Sequence, residues 1–257
     1  MIEFIHARRT YGERVAVEGL ELTVPRGELF AFLGPNGAGK TTSIKMAVGL
    51  LRPSAGRVRV CGFDIVQSPR EAKQRISYVP DEPYLYDKLT GREMLRFIAD
   101  MYGLSDPDAQ RAVALQIDRF ELADFIDELT ENYSHGMKQR LVFATAMLHD
   151  PELLVVDEPM VGLDPKSIRL VKDLLREMAR QGVTVFMSTH TLAVAEEIGD
   201  RIGIIDHGRL QFVGTLAQLQ QKMASHESTL EHLFLQLTSQ NGRPSESETG
   251  LSPAAEE

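Results

Sequence analysis

Gly34-Pro35-Asn36-Gly37-Ala38-Gly39-Lys40-Thr41-Thr42 is the stretch that decides the fold of this chain. It matches G-x-x-x-x-G-K-[S/T], the pattern of a loop that holds phosphate groups. Residues 28–33 before it predict a short buried strand, and residues 41–51 after it carry apolar side chains at helical spacing. A phosphate-binding loop requires this strand-loop-helix context, so we interpret the stretch as a site for a nucleoside triphosphate.

Each part of the loop has a role toward a phosphate. The three glycines leave the backbone free to turn its N–H groups inward, and the following helix directs its positive dipole end at the same point. Lys40 is expected to place its ammonium on the outer phosphates, and the Thr41 hydroxyl to join the shell of a Mg²⁺ ion. The alternative is a glycine-rich turn with a solvated lysine, which the flanking strand and helix disfavour.

The composition of the chain bounds its class. With 257 residues and 43% hydrophobic content, the chain can form one large core or a core with a satellite domain. The net charge of -9 argues against a sequence-independent grip on nucleic acid, which needs Lys and Arg. Cys61 is the only cysteine, which suits a reducing compartment and predicts the cytoplasm. Residues 1–10 do not read as a secretory signal, and no apolar run approaches the roughly 20 residues that cross a bilayer.

A small sheet and a helical insert are predicted around the loop. Residues 2–7, 15–24 and 57–61 are rich in β-branched or alternating residues and are expected to pair as strands. Between residues 90 and 149 the apolar spacing instead predicts helices, at 94–101, 109–120 and 137–148. The third helix follows a polar break at 132–137, where Ser134 or Asn132 is a candidate cap.

Two further buried strands end in candidate catalytic residues. Residues 151–156 form a continuous apolar run that ends in Asp157 and Glu158, and residues 183–187 lead to His190. The chemistry of open α/β sheets collects at the carboxyl ends of strands. Asp157 is expected to bind Mg²⁺ through water, and Glu158 to polarise a water that attacks the γ-phosphate. His190 is left open between a catalytic residue and a packed or surface histidine. A helix over 165–180 would complete a β-α-β unit.

The remaining segments carry fewer signals. Residues 75–80 predict a strand, followed by a loop over 81–87 whose acids either are solvated or reach a metal, and whose tyrosines can anchor a partner. Tyr11 either stacks on a purine or is an ordinary tyrosine at a strand end. Strands at 201–206 and 209–213 and helices at 215–223 and 228–237 close the chain, and the composition after Gln240 predicts disorder.

Residues 2–237 resemble the ATP-binding subunit of an ABC transporter. The order and spacing of the motifs carry the resemblance: a Walker A loop at 34–42, a signature motif at 134–139, a Walker B strand at 153–159, a D-loop at 162–164 and a switch histidine at 190. The resemblance implies an α/β fold of the P-loop NTPase type, with a RecA-like parallel core, a β accessory subdomain and an α-helical subdomain. We expect an ATPase domain over 1–238, its helical subdomain at about 88–150, and a disordered tail over 239–257.

The resemblance also implies roles for individual residues. Catalysis is assigned to Glu158 and His190, and Asp164 belongs to the D-loop. The expected ATP-binding residues are Tyr11, Asn36, Gly37, Gly39, Lys40, Thr41 and Thr42, with Ser134 and Gly136 contributed by a second subunit. The expected Mg²⁺ residues are Thr41, Asp157 and Asp81. The implied partners are a transmembrane permease and a second ATPase copy in a head-to-tail dimer on the inner face of the cell membrane.

Two positions depart from the common family pattern. Asp81 stands where the family usually has the glutamine of its Q-loop, which adds a charge that an amide lacks. The signature motif commonly reads Leu-Ser-Gly-Gly-Gln, whereas this chain reads Tyr133-Ser134-His135-Gly136-Met137 and keeps the serine and the second glycine. Residues 230–238 resemble the C-terminal end of export-type subunits.

These observations predict an ATPase subunit that uses Mg²⁺ and ATP to drive a separate transmembrane partner, an exporter. The first alternative is a mechanical ATPase that acts on nucleic acid or the ribosome. Such relatives generally need a second cassette or a long coiled-coil insertion, and this chain has neither. The second alternative is a regulator that binds nucleotide without hydrolysis, against which Glu158 and His190 argue.

Overall fold

A mainly parallel sheet forms the core of the residues that the computed structural model describes, 1–82 and 84–222. In this part of the chain it has six strands, in the spatial order β10 (Arg209–Gly214), β9 (Arg201–Asp206), β3 (Leu29–Leu33), β8 (Thr184–Thr189), β7 (Leu153–Asp157) and β6 (Ile76–Val79). Neighbouring strands from β9 to β6 are parallel, and β10 pairs antiparallel with β9 at one edge. The predicted parallel α/β core is confirmed.

The central strands are buried on both faces, as their apolar runs predicted. Every residue of β3, β7 and β8 is buried. Helix α6 (Pro165–Arg180) lies between β7 and β8 in sequence, with the predicted bounds, and buries Val171, Leu175 and Met178. Because β7 and β8 are adjacent and parallel, the predicted β-α-β unit is confirmed.

The accessory sheet is antiparallel. Its spatial order is β2 (Arg14–Val24), β1 (Ile2–Tyr11), β4 (Ala55–Val60) and β5 (Phe63–Asp64). Its inner face packs on the core sheet through rings: Phe4 lies 6.5 Å from Phe186, which stacks on Phe30 at 5.6 Å. The expectation that the strand near 57–61 joins the first two strands is therefore confirmed, and Tyr11 lies at the end of β1.

Three helices occupy the predicted insert, and each starts at a side-chain cap. Helices α3 (Gly91–Met101), α4 (Asp106–Arg119) and α5 (His135–Ala146) are capped by Thr90, Ser105 and Ser134. Each cap oxygen accepts an N–H bond from the first turn, and that of Met137 to Ser134 Oγ is 3.3 Å. Ser134, and not Asn132, is thus the cap of α5, because Asn132 ends a short 3₁₀ turn.

The structure corrects several predicted bounds. Helix α1 covers Lys40–Ala47 and does not continue to residue 51, because Gly49 takes a φ of +71° and the N–H groups of Leu50 and Leu51 turn back to Lys45 O. Two short helices were not predicted, α2 (Pro69–Lys73) and α7 (Leu192–Ile198), since five and seven residues carry too little periodicity.

The end of the chain is only partly described. Helix α8 covers Leu216–Lys222, close to the predicted 215–223. The predicted helix at 228–237, the export-type stretch at 230–238 and the tail over 239–257 lie outside the described residues. In residues 1–82 and 84–222, no helix has the length and apolar character needed to cross a membrane.

Candidate nucleotide site

Sheet topology brings the sequence motifs to one edge. Strand β8 lies between β3 and β7, so the carboxyl ends of the three parallel strands are neighbours. The predicted phosphate-binding loop, residues 34–42, follows β3. Asp157 and Glu158 lie at the end of β7, and His190 follows β8. Residues separated by more than a hundred positions in sequence therefore meet at this edge.

The loop between β3 and α1 depends on glycine at two positions. Gly37 and Gly39 have φ values of +80° and +109°, in the region that side chains disfavour. A Cβ on Gly39 would also lie 2.6 Å from the carbonyl oxygen of Ala16. Glycine is required there because the loop passes against β2 in a backbone conformation that side chains disfavour.

Lys40 is buried at the start of α1 with its charge paired. Its Nζ donates to Gly34 O at 2.8 Å and to Pro35 O at 3.2 Å, and lies 3.2 Å from Glu158 Oε1. A buried ammonium is stable only when it has such partners. The lysine is thus held at the mouth of the loop, beside the acid at the end of β7.

Glu158 connects the lysine to the histidine. Its φ is +47°, and its Oε2 lies 2.9 Å from His190 Nδ1 and accepts the His190 backbone N–H at 3.2 Å. The Glu158 side chain is 14% exposed and that of His190 46%. The structure therefore places His190 in contact with Glu158, and does not pack it in the core.

Asp157 is fully buried behind Glu158. Its Oδ1 accepts a hydrogen bond from Ser188 Oγ, while its Oδ2 has no hydrogen-bond partner among the described residues. Burial raises the pKa of this carboxyl, and the hydroxyls of Ser188 and Thr41 lower it. A carboxylate and a hydroxyl side by side are hard oxygen ligands of the kind that Mg²⁺ takes, so these residues fit that ion.

The described residues contain no group of three or more His, Cys, Asp or Glu side chains that would hold a metal alone.

The first cleft, with a volume of about 420 Å³, lies over the loop. Its walls contain these residues expected for nucleotide or metal: Tyr11, Asn36, Gly37, Gly39, Lys40, Thr41, Thr42, Asp81 and Glu158. Tyr11 is 45% exposed, and the Arg9 guanidinium lies 4.8 Å from its ring centre. One face of the ring is therefore covered by a cation, and the tyrosine borders the cleft.

A second cleft, with a volume of about 570 Å³, is lined by Ser134, Gly136 and Asp164. Asp164 caps α6 by accepting from the N–H groups of Lys166 and Ser167 at 2.9 and 3.1 Å. Gly136 is close to this cap, since a Cβ there would lie 3.1 Å from Ser167 Oγ. Within one chain, Ser134 and Gly136 therefore line a different cleft from the predicted phosphate-binding loop.

Sequence reasoning missed three residues of the site. Arg14 lines the first cleft, Arg9 supports the ring of Tyr11, and Ser188 bonds Asp157. Arg14 follows Tyr11 across a two-residue turn, so the hairpin pattern itself was a signal. Ser188 lies two positions before His190, near the end of a strand of buried residues. A polar side chain in such a strand needs a hydrogen-bond partner, and this was the available signal.

Comparisons with known proteins agree with this geometry. The family described as ABC transporter matches residues 17–161. The linearmycin resistance ATP-binding protein LnrL of Bacillus subtilis (strain 168) is 37% identical over 223 residues, which cover 87% of this chain and 72% of that protein. The Nod factor export ATP-binding protein I of Burkholderia orbicola (strain AU 1054) is 38% identical over 208 residues, covering 81% and 68%.

A solved structure is also similar. The ATP-binding subunit of an ABC transporter superposes with a TM-score of 0.85 at 32% identity, over 92% of this chain and 99% of that one. The similarity spans both sheets and the helical segment, because nearly all of the described residues are covered.

Proposed function

Because the chain belongs to the ABC transporter family as an ATP-binding subunit, we propose that it hydrolyses ATP with Mg²⁺ to drive export through a separate transmembrane permease. The observation that carries the proposal is the position of Glu158 between Lys40 and His190: its Oε1 lies 3.2 Å from Lys40 Nζ and its Oε2 lies 2.9 Å from His190 Nδ1. An anion-binding loop beside a carboxylate and an imidazole is suited to phosphoryl transfer to water.

ATP binding is assigned to the first cleft. The adenine stacks on Tyr11, whose other face lies near the Arg9 guanidinium. The phosphates take the N–H groups of the loop, including those of Asn36, Gly37 and Gly39, and the Lys40 ammonium. The lysine exchanges its two carbonyl partners for phosphate oxygens, which bind an ammonium more strongly because they are charged. Thr42 completes the contact from the first turn of α1.

Thr41 and Asp157 would hold Mg²⁺, with Asp81 on the cleft wall as a further ligand. The bound ion would neutralise charge that develops on the phosphate oxygens. Asp157 is suited to this position because its Oδ2 has no hydrogen-bond partner in the described part of the chain, while Ser188 satisfies Oδ1.

Glu158 acts as the general base and His190 fixes it. A carboxylate within hydrogen-bond reach of a water can take its proton as the water attacks the γ-phosphate. His190 contacts Oε2 of that carboxylate through Nδ1 and its backbone N–H, which leaves Oε1 toward Lys40. When the phosphates draw Lys40 away, Oε1 becomes available to the attacking water.

The separation of the two clefts supports a head-to-tail dimer. Ser134 and Gly136 lie at the start of α5, where N–H groups attract an anion, yet they line a cleft that does not contain the loop. In the dimer, Ser134 and Gly136 of one copy cap the phosphates bound by Lys40 of the other, with Asp164 beside them. The ATPase domain then spans residues 1–238, with its helical subdomain at about 88–150.

An exposed aromatic patch supports a permease partner. Tyr84, Tyr86 and Phe97 form the patch, with ring centres 5.8 and 5.5 Å apart in turn, and Tyr84 is 76% exposed. Exposed aromatic clusters mark protein interfaces. The patch follows Asp81 in the chain, so contact with a permease would reach the nucleotide cleft. This partner would hold the chain on the cytoplasmic face of the cell membrane. The name of one relative includes the word export and that of another the word resistance, which supports transport out of the cell.

Two measurements test the proposal: phosphate release from ATP and sedimentation of the chain with membranes. The purified chain should release phosphate from Mg-ATP, and a tagged chain in its native cells should sediment with membranes. The double variant Tyr86→Ser with Phe97→Ser should no longer sediment with membranes, whereas Val66→Ser, at an exposed apolar residue outside the patch, should still do so. Sedimentation with ribosomes instead would favour the mechanical alternative, and nucleotide binding without phosphate release would favour the regulator.

A further inference from the structure

Ser188 is a buried hydroxyl that touches both acids of the site. It lies in β8 directly opposite Asp157 of β7 and has no exposed surface. Its Oγ donates a hydrogen bond to Asp157 Oδ1 and accepts the backbone N–H of Glu158 at 3.1 Å. One side chain on the neighbouring strand therefore fixes two consecutive residues of the site.

The pair of bonds requires a hydroxyl. A serine oxygen donates once and accepts at the same time, which no apolar side chain of its size can do. Alanine at this position would leave a buried carboxylate oxygen and a buried N–H group without a partner, and such groups are costly. Threonine retains both bonds and adds one methyl group.

The bond to Glu158 also bears on its backbone. Glu158 has a φ of +47°, a left-handed conformation that a glutamate rarely adopts without support from its surroundings. In this conformation its carboxylate turns back to Lys40 and His190. The Ser188 hydroxyl holds the N–H of this residue and so opposes relaxation of the backbone to an ordinary strand conformation.

We propose that Ser188 is a positioning residue for ATP hydrolysis, which fixes the Asp157 carboxylate and the left-handed Glu158 backbone through one hydroxyl. The inference rests on the proposed ATPase function and adds a residue to it. Ser188 itself does not line the cleft over the loop, so its effect passes through Asp157 and Glu158.

Three variants separate positioning from general stability. Ser188→Ala removes both bonds, and Ser188→Thr keeps the hydroxyl. Thr184→Val is the matched control, because Thr184 is a fully buried hydroxyl on the same strand that accepts the N–H of Gly27 at 2.8 Å, at the other end of β8. Ser188→Ala and Thr184→Val each leave one backbone N–H group without its hydrogen bond. Only Ser188→Ala removes contacts with Asp157 and Glu158.

Turnover is the first measurement. We expect Ser188→Ala to lower kcat by about 10- to 100-fold with KM changed by less than about threefold, since the lost geometry matters in the transition state. Ser188→Thr should recover most of kcat, and Thr184→Val should keep it. Equal kcat in Ser188→Ala and the wild type, an equal loss in Thr184→Val, or no recovery in Ser188→Thr would each overturn the proposal.

Binding without turnover is the second measurement. The affinity for a fluorescent ATP analogue is compared in Mg²⁺ and in EDTA: Ser188→Ala should lose most of the gain that Mg²⁺ confers and keep the affinity in EDTA. An unchanged Mg²⁺ gain would refute the Asp157 part of the inference. A wild-type chain that shows this gain but releases no phosphate would contradict the proposed hydrolysis, while the binding data would still decide for or against Ser188. If Ser188→Ala does not fold, Ser188→Cys takes its place, since a thiol is a weaker donor of similar size.

Discussion

Lys40 and Glu158 neutralise each other at the mouth of the loop, with His190 on the far side of the carboxylate. This contact occupies both the group that would bind the outer phosphates and the group that would activate water. In the proposed function, a bound nucleotide would break this pair, because its phosphates compete for the ammonium. Under the proposed function, the binding of ATP phosphates to Lys40 would therefore also free Glu158 to activate water.

Replacing Lys40 by alanine should abolish hydrolysis while leaving the fold intact. The substitution removes the ammonium that donates to the carbonyl groups of Gly34 and Pro35 in the loop. ATP turnover and circular dichroism should be measured together. Lys45→Ala, on the same helix, is the control and should retain turnover. Substantial activity in Lys40→Ala with an unchanged spectrum would show that the loop assignment is wrong.

Asp81 is expected to take part in binding Mg²⁺. The structure places it on the wall of the cleft that Thr41 and Glu158 also line. We expect Asp81→Gln to keep hydrolysis to within about tenfold and to require more Mg²⁺ for half-maximal rate, because an amide is a weaker ligand for a hard cation. Glu82→Gln, at the next exposed acid, should leave the Mg²⁺ titration unchanged. An identical titration in Asp81→Gln would make Asp81 an ordinary loop acid.

At the scale of elements, His149 joins the helical segment to the core sheet. Its ring stacks on Tyr102, the C-cap of α3, with centres 3.7 Å apart, and its Nε2 lies 3.3 Å from Ile76 O in β6. The ring also faces Ser77 Oγ at 3.5 Å, and Asp150 is its nearby charge. A protonation change here would act on the contacts by which the His149 ring connects the end of α3 to β6.

Acid should weaken this junction. Burial lowers the pKa of His149, although the Ile76 carbonyl and the Asp150 charge oppose the shift. As the pH falls below about 6.5, the unfolded chain takes up the proton before the folded chain does. The stability that the neutral ring contributes is thus complete above that pH and is lost as the pH falls toward the folded pKa.

Urea unfolding at pH 7.5 and 5.5 tests this prediction. The midpoint should fall with pH in the wild type, and the fall should be smaller in His149→Gln. His6→Gln is the control, since His6 is an exposed histidine with 74% of its side chain accessible. Equal pH dependence in the wild type and His149→Gln would mean that other groups cause the loss.

At the scale of the molecule, the proposed head-to-tail dimer accounts for the separation of the two clefts. The first cleft has the loop, and the second has Ser134, Gly136 and Asp164. If one ATP contacts both kinds of cleft, then two copies enclose two nucleotides and ATP becomes part of the interface. Binding that occurs only in the dimer stabilises the dimer by mass action.

Glu158→Gln should therefore form a dimer with Mg-ATP and remain a monomer without it. The amide keeps the shape of the side chain but cannot take a proton from water, so hydrolysis should nearly stop while ATP stays bound. Size-exclusion chromatography with light scattering measures the mass. Adding Ser134→Arg should restore the monomer by filling the shared phosphate site.

Ser105→Arg is the matched control for that substitution. Ser105 caps α4 as Ser134 caps α5, but it does not line the second cleft. The control should lose a helix cap and keep the dimer. A monomer of Glu158→Gln at high protein and saturating ATP, both alone and with the permease present, would contradict the head-to-tail assembly.

Much of this fold was predictable from local pattern. The loop motif, the buried runs that became β3 and β7, and the helix Pro165–Arg180 each lie within a short window, where periodicity and glycine positions are informative. The family resemblance then assigned Asp157, Glu158 and His190 to one site. The bounds of α1 were less predictable, because Leu50 is apolar and continues the helical pattern but is 59% exposed.

The sequence by itself determined which residues are present at the strand ends, because the chemistry of a loop or an acid is a property of a few consecutive residues. Only the tertiary structure decided that Ser188 lies against Asp157 and that the residues around Ser134 face a separate cleft. These contacts depend on strand order and register. Register is set by the packing of the whole sheet, so no window of sequence contains it.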